Sequence, residues 1–104
     1  MFVVIYSWKL ASGQEALFRE GWTRVTEAIY RDRGSLGSRL HEGEDDVWVA
    51  YAQWPDRATW ERSGRLGAAD TEGLRMMEEA TLERFPTSLL TVEEDRLRAQ
   101  PRGT

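Results

Sequence analysis

Hydrophobic positions along this 104-residue chain recur at two kinds of spacing, every second residue in some blocks and every third or fourth in others. Residues 2–9 (FVVIYSWK) are dense in β-branched and aromatic side chains and predict a strand. Ser12-Gly13-Gln14-Glu15 has the form of a capping box, with the Ser12 hydroxyl accepting from the third helical amide and Glu15 reaching back to the cap, so a helix is expected to start there. Within it Phe18, Trp22, Val25 and Ile29 fall at i, i+4, i+7 and i+11, on one stripe flanked by Leu17, Gly21 and Ala28. The opposite face carries Arg19, Glu20, Arg24, Glu27 and Arg31, and Gly34 stands where a left-handed residue would end the helix. Residues 35–42 and 47–54 read as two strands joined by the polar hairpin segment Gly43-Glu44-Asp45-Asp46. Pro55-Asp56 stops the second strand and caps a short helix holding Ala58, Trp60 and Leu66. A further helical run from about Thr71 places Leu74, Met77, Ala80 and Leu82 at helical spacing and is expected to end at Pro86. Residues 88–94 (SLLTVEE) form the last expected strand.

The order is therefore β-α-β-β-α-β, a ferredoxin-like α+β arrangement with a four-stranded antiparallel sheet. Right-handed crossovers place both helical segments on one face of that sheet. The other face is apolar too. The first strand directs Phe2, Val4, Tyr6 and Trp8 to one side and Val3 and Ile5 to the other, while the third sets Val47, Val49 and Tyr51 against Trp48, Ala50, Ala52 and Trp54. A solvated sheet face would show polar residues at alternate positions, and these two strands do not. At roughly 25 cal/mol per Å2, covering several hundred Å2 on each of two partners would give a gross gain on the order of 10 kcal/mol before association costs. A homodimer that pairs the bare sheet faces, a dimeric α+β barrel, is the expected assembly. The domain is expected over residues 1–95, followed by a charged, loose tail over residues 96–104.

Composition narrows the chemistry. A net charge of −4, with both signs interspersed, offers no continuous basic stripe and argues against nucleic acid as a partner. The absence of cysteine removes disulfides, thiolate nucleophiles and cysteine-ligated metal sites, and the single histidine, His41, removes a multi-histidine metal site within one chain. No signal-like segment opens the chain and no run reaches the ~20 apolar residues of a membrane span, so a soluble cytoplasmic location without a membrane partner is the expectation. A Gly-rich phosphate loop, a nucleophile elbow and a dinucleotide fingerprint are all missing.

The opening MFVVIYSWKL, the helix FREGWTRVTEAIY, the strand pair RGSLGSRLH and VWVAYAQWPDRATWE, and the late Phe-Pro before the final strand carry a resemblance over about residues 1–95. Together they resemble the antibiotic biosynthesis monooxygenase domain, a family of dimeric α+β barrels. The resemblance implies a pocket between sheet and helices. Some members oxidise activated polyketide anthrones there with molecular oxygen and no cofactor, some degrade haem, and others have no known activity. Haem degradation in that family goes with an Asn late in the first strand, a Trp in the helix after the third strand and a later haem-ligating His. The corresponding positions here hold Ser7, Ser63 and a residue near Gly73, and the chain has no Asn, so that branch is disfavoured. The reading that results is a monooxygenase or related tailoring enzyme acting on a small aromatic molecule, with neither cofactor nor metal. The alternative is a non-catalytic dimeric barrel that binds a small ligand or serves a stress-related role.

A cofactor-free oxygenase needs a base to form an enolate and donors to hold the resulting oxyanion. His41 titrates nearest neutrality and is the candidate base, and Arg39, two residues away on the same strand face, is the candidate anion holder. The plainer account is strand-end pairing with Glu42, Glu44 or Asp45. Tyr51 and Tyr6 are candidate donors to a quinone or phenol oxygen, with core or interface packing as the alternative. Ser7 interrupts an apolar strand and needs either a buried partner or a pocket. Trp22, Trp54, Trp60 and Met77, with Met76, suit a flat ligand and equally suit a core. Ala50 and Ala52 beside large aromatics leave room for a ligand or for a closely packed helix.

Overall fold

A computed structural model describes residues 1–99 of the chain. Part of the tail expected over 96–104 therefore lies outside the described residues. The elements run β1 (Phe2–Leu10), α1 (Glu15–Asp32), β2 (Gly37–Glu42), β3 (Val47–Trp54), α2 (Arg57–Arg65), α3 (Thr71–Ala80), β4 (Thr81–Arg84) and β5 (Ser88–Thr91). All strand pairs are antiparallel, and the sheet follows the order β2-β3-β1-β4, with β5 also pairing β1. β4 lies beside Trp8 to Leu10 and β5 beside Phe2 to Ile5, so the two short pieces share one edge of β1 and stand together where one fourth strand was expected. Phe85 still donates its amide to the Ser7 carbonyl at 3.0 Å, and the ladder then breaks at Pro86, which has no N–H to give.

Two local expectations change. The capping box at Ser12 does not form: Gly13 adopts a φ of +80°, Gln14 bonds back to the Ala11 carbonyl, and α1 starts at Glu15 without a side-chain cap. The helix expected to run to Pro86 stops at Ala80, where the Thr81 hydroxyl donates to the Met77 carbonyl at 2.6 Å and the backbone turns extended. Leu82 thus leaves the helical stripe for an exposed bulge in β4. The other two helices are capped by aspartate, Asp56 accepting from the Thr59 amide at 2.8 Å and Asp70 from the Gly73 amide at 2.7 Å.

The helices cover one face of the sheet. On that side β3 presents Trp48, Ala50, Ala52 and Trp54, all buried, in the order large, small, small, large. Trp48 anchors one hydrophobic cluster with Trp8, Leu10, Phe18, Met77 and Ala80. Trp54 anchors a second with Phe2, Val4 and Ala52, against which Ile29 and Trp60 pack. Tyr6 borders both. α1 crosses α3 where Gly21 meets Gly73; a Cβ on Gly21 would lie 2.6 Å from the Gly73 carbonyl oxygen. This close crossing seats Met76, Met77 and Ala80 in the core.

On the outer face stand Ile5, Ser7, Val47, Val49 and Tyr51, all half-buried. Val3 is buried there, because Gln53 and Leu90 flank it in register from both neighbouring strands. No described helix packs against this side, and among the described residues no helix is long and apolar enough to cross a membrane.

Candidate functional site

A cavity of about 360 Å3 lies between α1, α3 and the helix side of the sheet. It occupies the trough that Ala50 and Ala52 leave between the two Trp-anchored clusters, because an alanine Cβ cannot span the distance from sheet to helix that Trp48 and Trp54 fill at either end. Its walls are apolar: Trp22, Val25 and Ile29 from α1, Leu74 and Met77 from α3, Trp8 from β1 and Trp54 from β3. Polar groups are few, namely Tyr6, Thr26, Ser35, Ser38, Glu78, Thr81 and Arg84. A mostly apolar concavity of this volume with a handful of polar groups is the usual form of a small-molecule site.

Tyr6 is the hub. Its hydroxyl accepts from Trp60 Nε1 at 3.0 Å, and the Arg84 guanidinium lies over its ring, 5.8 Å from the centroid. Burial raises the Tyr6 pKa, only partly offset by the Trp60 bond and the Arg84 charge, so the side chain is a neutral phenol at neutral pH. Arg84 faces Trp8 in the β1–β4 register, and no carboxylate among the described residues pairs with it. It is the cation available to an anionic ligand at the cavity.

A second compartment of about 170 Å3 shares Tyr6, Val25, Ile29, Trp54 and Leu74 with the first and extends to Trp60, Ser63 and Arg33. Arg33 closes its far side, donating from Nη1 to the Ser63 carbonyl at 2.7 Å and the Gly67 carbonyl at 3.1 Å. These bonds tie the end of α1 to the α2–α3 connection, so the compartment wall is braced by a part-buried cation.

Of the residues singled out in the sequence, Trp22 and Met77 line the main cavity, and Trp60 lines the second compartment and orients Tyr6. Trp54 belongs to both walls. Ser7, Arg39, His41 and Tyr51 stand elsewhere. In the β2–β3 register Arg39 faces Tyr51 and His41 faces Val49, all on the outer side of the sheet, while Ser38 and Leu40 between them turn toward the helices. His41 is exposed, with Nδ1 2.9 Å from the Val49 carbonyl, and the Tyr51 hydroxyl donates to Gln53 Oε1 at 3.4 Å. The reason is the strand period of two: one step in phase separates these side chains from the cavity by the thickness of the sheet. Arg84, Glu78 and Thr81 were not anticipated as site residues. Arg84 and Thr81 sat in a segment whose apolar spacing looked helical, which hid their phase on the sheet. Among the described residues no three His, Asp or Glu side chains gather as a metal site would require.

The fold has solved counterparts. SnoaB, a cofactor-independent oxygenase from Streptomyces nogalater, superposes with a TM-score of 0.73 at 15% identity, over 90% of this chain and 94% of that one. Two candidate antibiotic biosynthesis monooxygenases also superpose. The one from Deinococcus radiodurans does so with a TM-score of 0.74 at 11% identity, over 96% of this chain and 100% of that one. The one from Bordetella bronchiseptica gives 0.71 at 21% identity, over 91% and 97%. At these identities the likeness establishes the fold. No curated protein matches the sequence. The family model for antibiotic biosynthesis monooxygenases, however, matches residues 1–68, which hold β1 through α2 and much of the cavity wall. This chain belongs to the antibiotic biosynthesis monooxygenase family.

Proposed function

We propose that this protein is a cofactor-independent oxygenase that binds a small, flat aromatic molecule of polyketide type in the cavity between sheet and helices. The observation that carries the reading is the cavity itself: about 360 Å3, walled by Trp8, Trp22, Trp54 and Met77, with an arginine that pairs with no carboxylate among the described residues and a neutral tyrosine among its few polar groups. The likeness to SnoaB, a cofactor-independent oxygenase, supports it.

In this reading the apolar walls exclude water and hold the ring system flat. Glu78, the carboxylate on the cavity wall, takes a proton from the benzylic carbon of an anthrone, and Arg84 and Tyr6 stabilise the enolate oxygen that results. The enolate reduces molecular oxygen. One oxygen atom becomes the new carbonyl, the other leaves as water, and the four electrons come from the substrate methylene, so no further reductant is needed. The roles that the sequence suggested for His41 and Arg39 pass to Glu78 and Arg84. Ser7, Arg39, His41 and Tyr51 instead line the sheet face that pairs with a second copy in a homodimer.

An oxygen electrode with an anthrone panel tests the reaction. Native protein is expected to consume one O2 per substrate above the buffer blank, and Glu78→Gln to lose that excess. The second reading, a non-catalytic ligand-binding barrel, draws on the cavity having a single carboxylate, which is itself exposed. It predicts ring binding in calorimetry with no oxygen uptake.

A further inference from the structure

Of the three helices, α2 is the most lightly held. Among its nine residues only Ser63 is buried, and Trp60 is its one large apolar side chain. In contrast, α1 buries Phe18, Gly21 and Ala28, and α3 buries Gly73, Met76, Met77 and Ala80. A short set of contacts ties α2 down. Trp60 Nε1 donates to the Tyr6 hydroxyl at 3.0 Å, and its ring leans on Phe2 with the centroids 5.7 Å apart. Arg33 holds the far end through the Ser63 and Gly67 carbonyls. Both ends run into hinges. Pro55 and Asp56 follow the buried Trp54, and Gly67 turns the chain at a φ of +80° where a Cβ would meet nothing within 4 Å. A nine-residue helix released from such ties does not hold in water. The helix is also a thin wall. Trp60 and Gly64 line the second compartment on one side and, on the other, an outer groove of about 590 Å3 bordered by Arg65, Thr87 and Leu89. Tyr6, tied to Trp60, stands between that compartment and the main cavity and lines both. At about 170 Å3 the compartment has a volume that accommodates one benzene ring.

We propose that α2 is a hinged lid, and that the second compartment beneath it is a subsite for an aromatic branch set at an angle to the ring system in the main cavity. This rests on the proposed ring-binding cavity and extends it. Opening breaks the Trp60–Tyr6 bond, lets the Tyr6 ring turn aside and joins the compartment to the main cavity from the groove side. A flat ligand comes and goes with the lid shut, through the mouth of the main cavity beside the exposed Glu78 and Arg84. A branched ligand needs the lid open both to enter and to leave.

The test locks the lid. The chain has no cysteine, and a Cβ on Gly34 would stand 3.0 Å from Thr59 Cγ2, so Gly34→Cys with Thr59→Cys sets one disulfide between the end of α1 and the first turn of α2. The probes are anthraquinone-2-sulfonate, which is flat, and 1-amino-4-anilinoanthraquinone-2-sulfonate, which carries a phenyl branch. In stopped-flow mixing, oxidation of the double variant is expected to slow association of the branched probe about tenfold or more and to leave the flat probe unchanged, and dithiothreitol to restore the faster rate. In hydrogen exchange followed by mass spectrometry, native residues 61–65 are expected to exchange about tenfold or more faster than the buried face of α1, and Trp60→Phe to speed them about fivefold further with α1 unchanged. Equal branched-probe rates in the oxidised and reduced forms, or α2 amides as protected as those of α1, overturn the lid and leave the ring-binding cavity standing. Binding of the flat probe alone overturns the subsite, and binding of neither overturns the cavity reading with it. If the double variant fails to fold by circular dichroism, Trp60→Phe decides, since a branched-probe association rate no faster than native overturns the lid.

Discussion

Replacing Gly21 with alanine puts a methyl group into the α1–α3 crossing. Its carbon would stand 2.6 Å from the Gly73 carbonyl oxygen, 2.9 Å from Met76 Cβ and 3.0 Å from the Met77 amide nitrogen. Two of these neighbours are backbone atoms, which cannot rotate away, so the helices must separate. Considered alone, an alanine in a helix interior is favoured over glycine by about 1 kcal/mol. Overpacking a filled interface costs about 1–3 kcal/mol, and contacts this short belong in the upper half of that range. The net expectation is a loss of about 1–2 kcal/mol, which for a domain of this size lowers the melting temperature by roughly 4–16 °C. Gly64→Ala supplies the control, because a Cβ there meets nothing within 4 Å and the residue lies in α2. Near a helix end its gain is about 0.5 kcal/mol, a rise of roughly 2–4 °C. Thermal unfolding followed by circular dichroism at pH 7 reads both. A Gly21→Ala protein at least as stable as the native one would refute the claim that this crossing is closed to any side chain.

Acid sensitivity should trace to the helix caps. The Thr59 hydroxyl and amide hold the Asp56 carboxyl below the usual aspartate range, and the Gly73 amide and then Arg24 do the same for Asp70. The native state thus binds these protons less tightly than the unfolded chain, so the stabilisation is complete above the ordinary aspartate pKa of about 3.9 and is lost as pH falls through the depressed native values. Asp70→Asn keeps a capping acceptor but cannot titrate, so its melting temperature should fall less steeply than the native one between about pH 5 and pH 2; parallel curves would contradict the assignment. For the outer sheet face, the native chain is expected to sediment at twice the chain mass at micromolar concentration, and Val49→Arg at the chain mass. A native monomer would end the pairing argument.

Element order was legible in the sequence because each element carries its own period. β1 and β3 announce themselves through β-branched and aromatic density, α1 through the Phe18, Trp22, Val25, Ile29 stripe, and the turn before α2 through Pro55-Asp56. The pocket's aromatic material was legible as well, in Trp22, Trp54 and Trp60, and so was its thioether wall, in Met77. The caps were less so: Ser12 and Glu15 have the letters of a capping box, yet Gly13 turns the chain before Ser12 can use it.

What the chain alone determines is its set of elements, their antiparallel succession and the surplus of apolar side chains on both faces of β1 and β3. Which of those faces receives the helices is a tertiary decision. With both faces apolar, local periodicity has no sign that distinguishes them, and only the packing of Phe18 from α1 and Met77 from α3 against Trp8 and Trp48 picks one. That choice puts Tyr6, Trp54 and the exposed Arg84 on the cavity wall and Arg39 and His41 on the far side of the sheet, one residue out of phase.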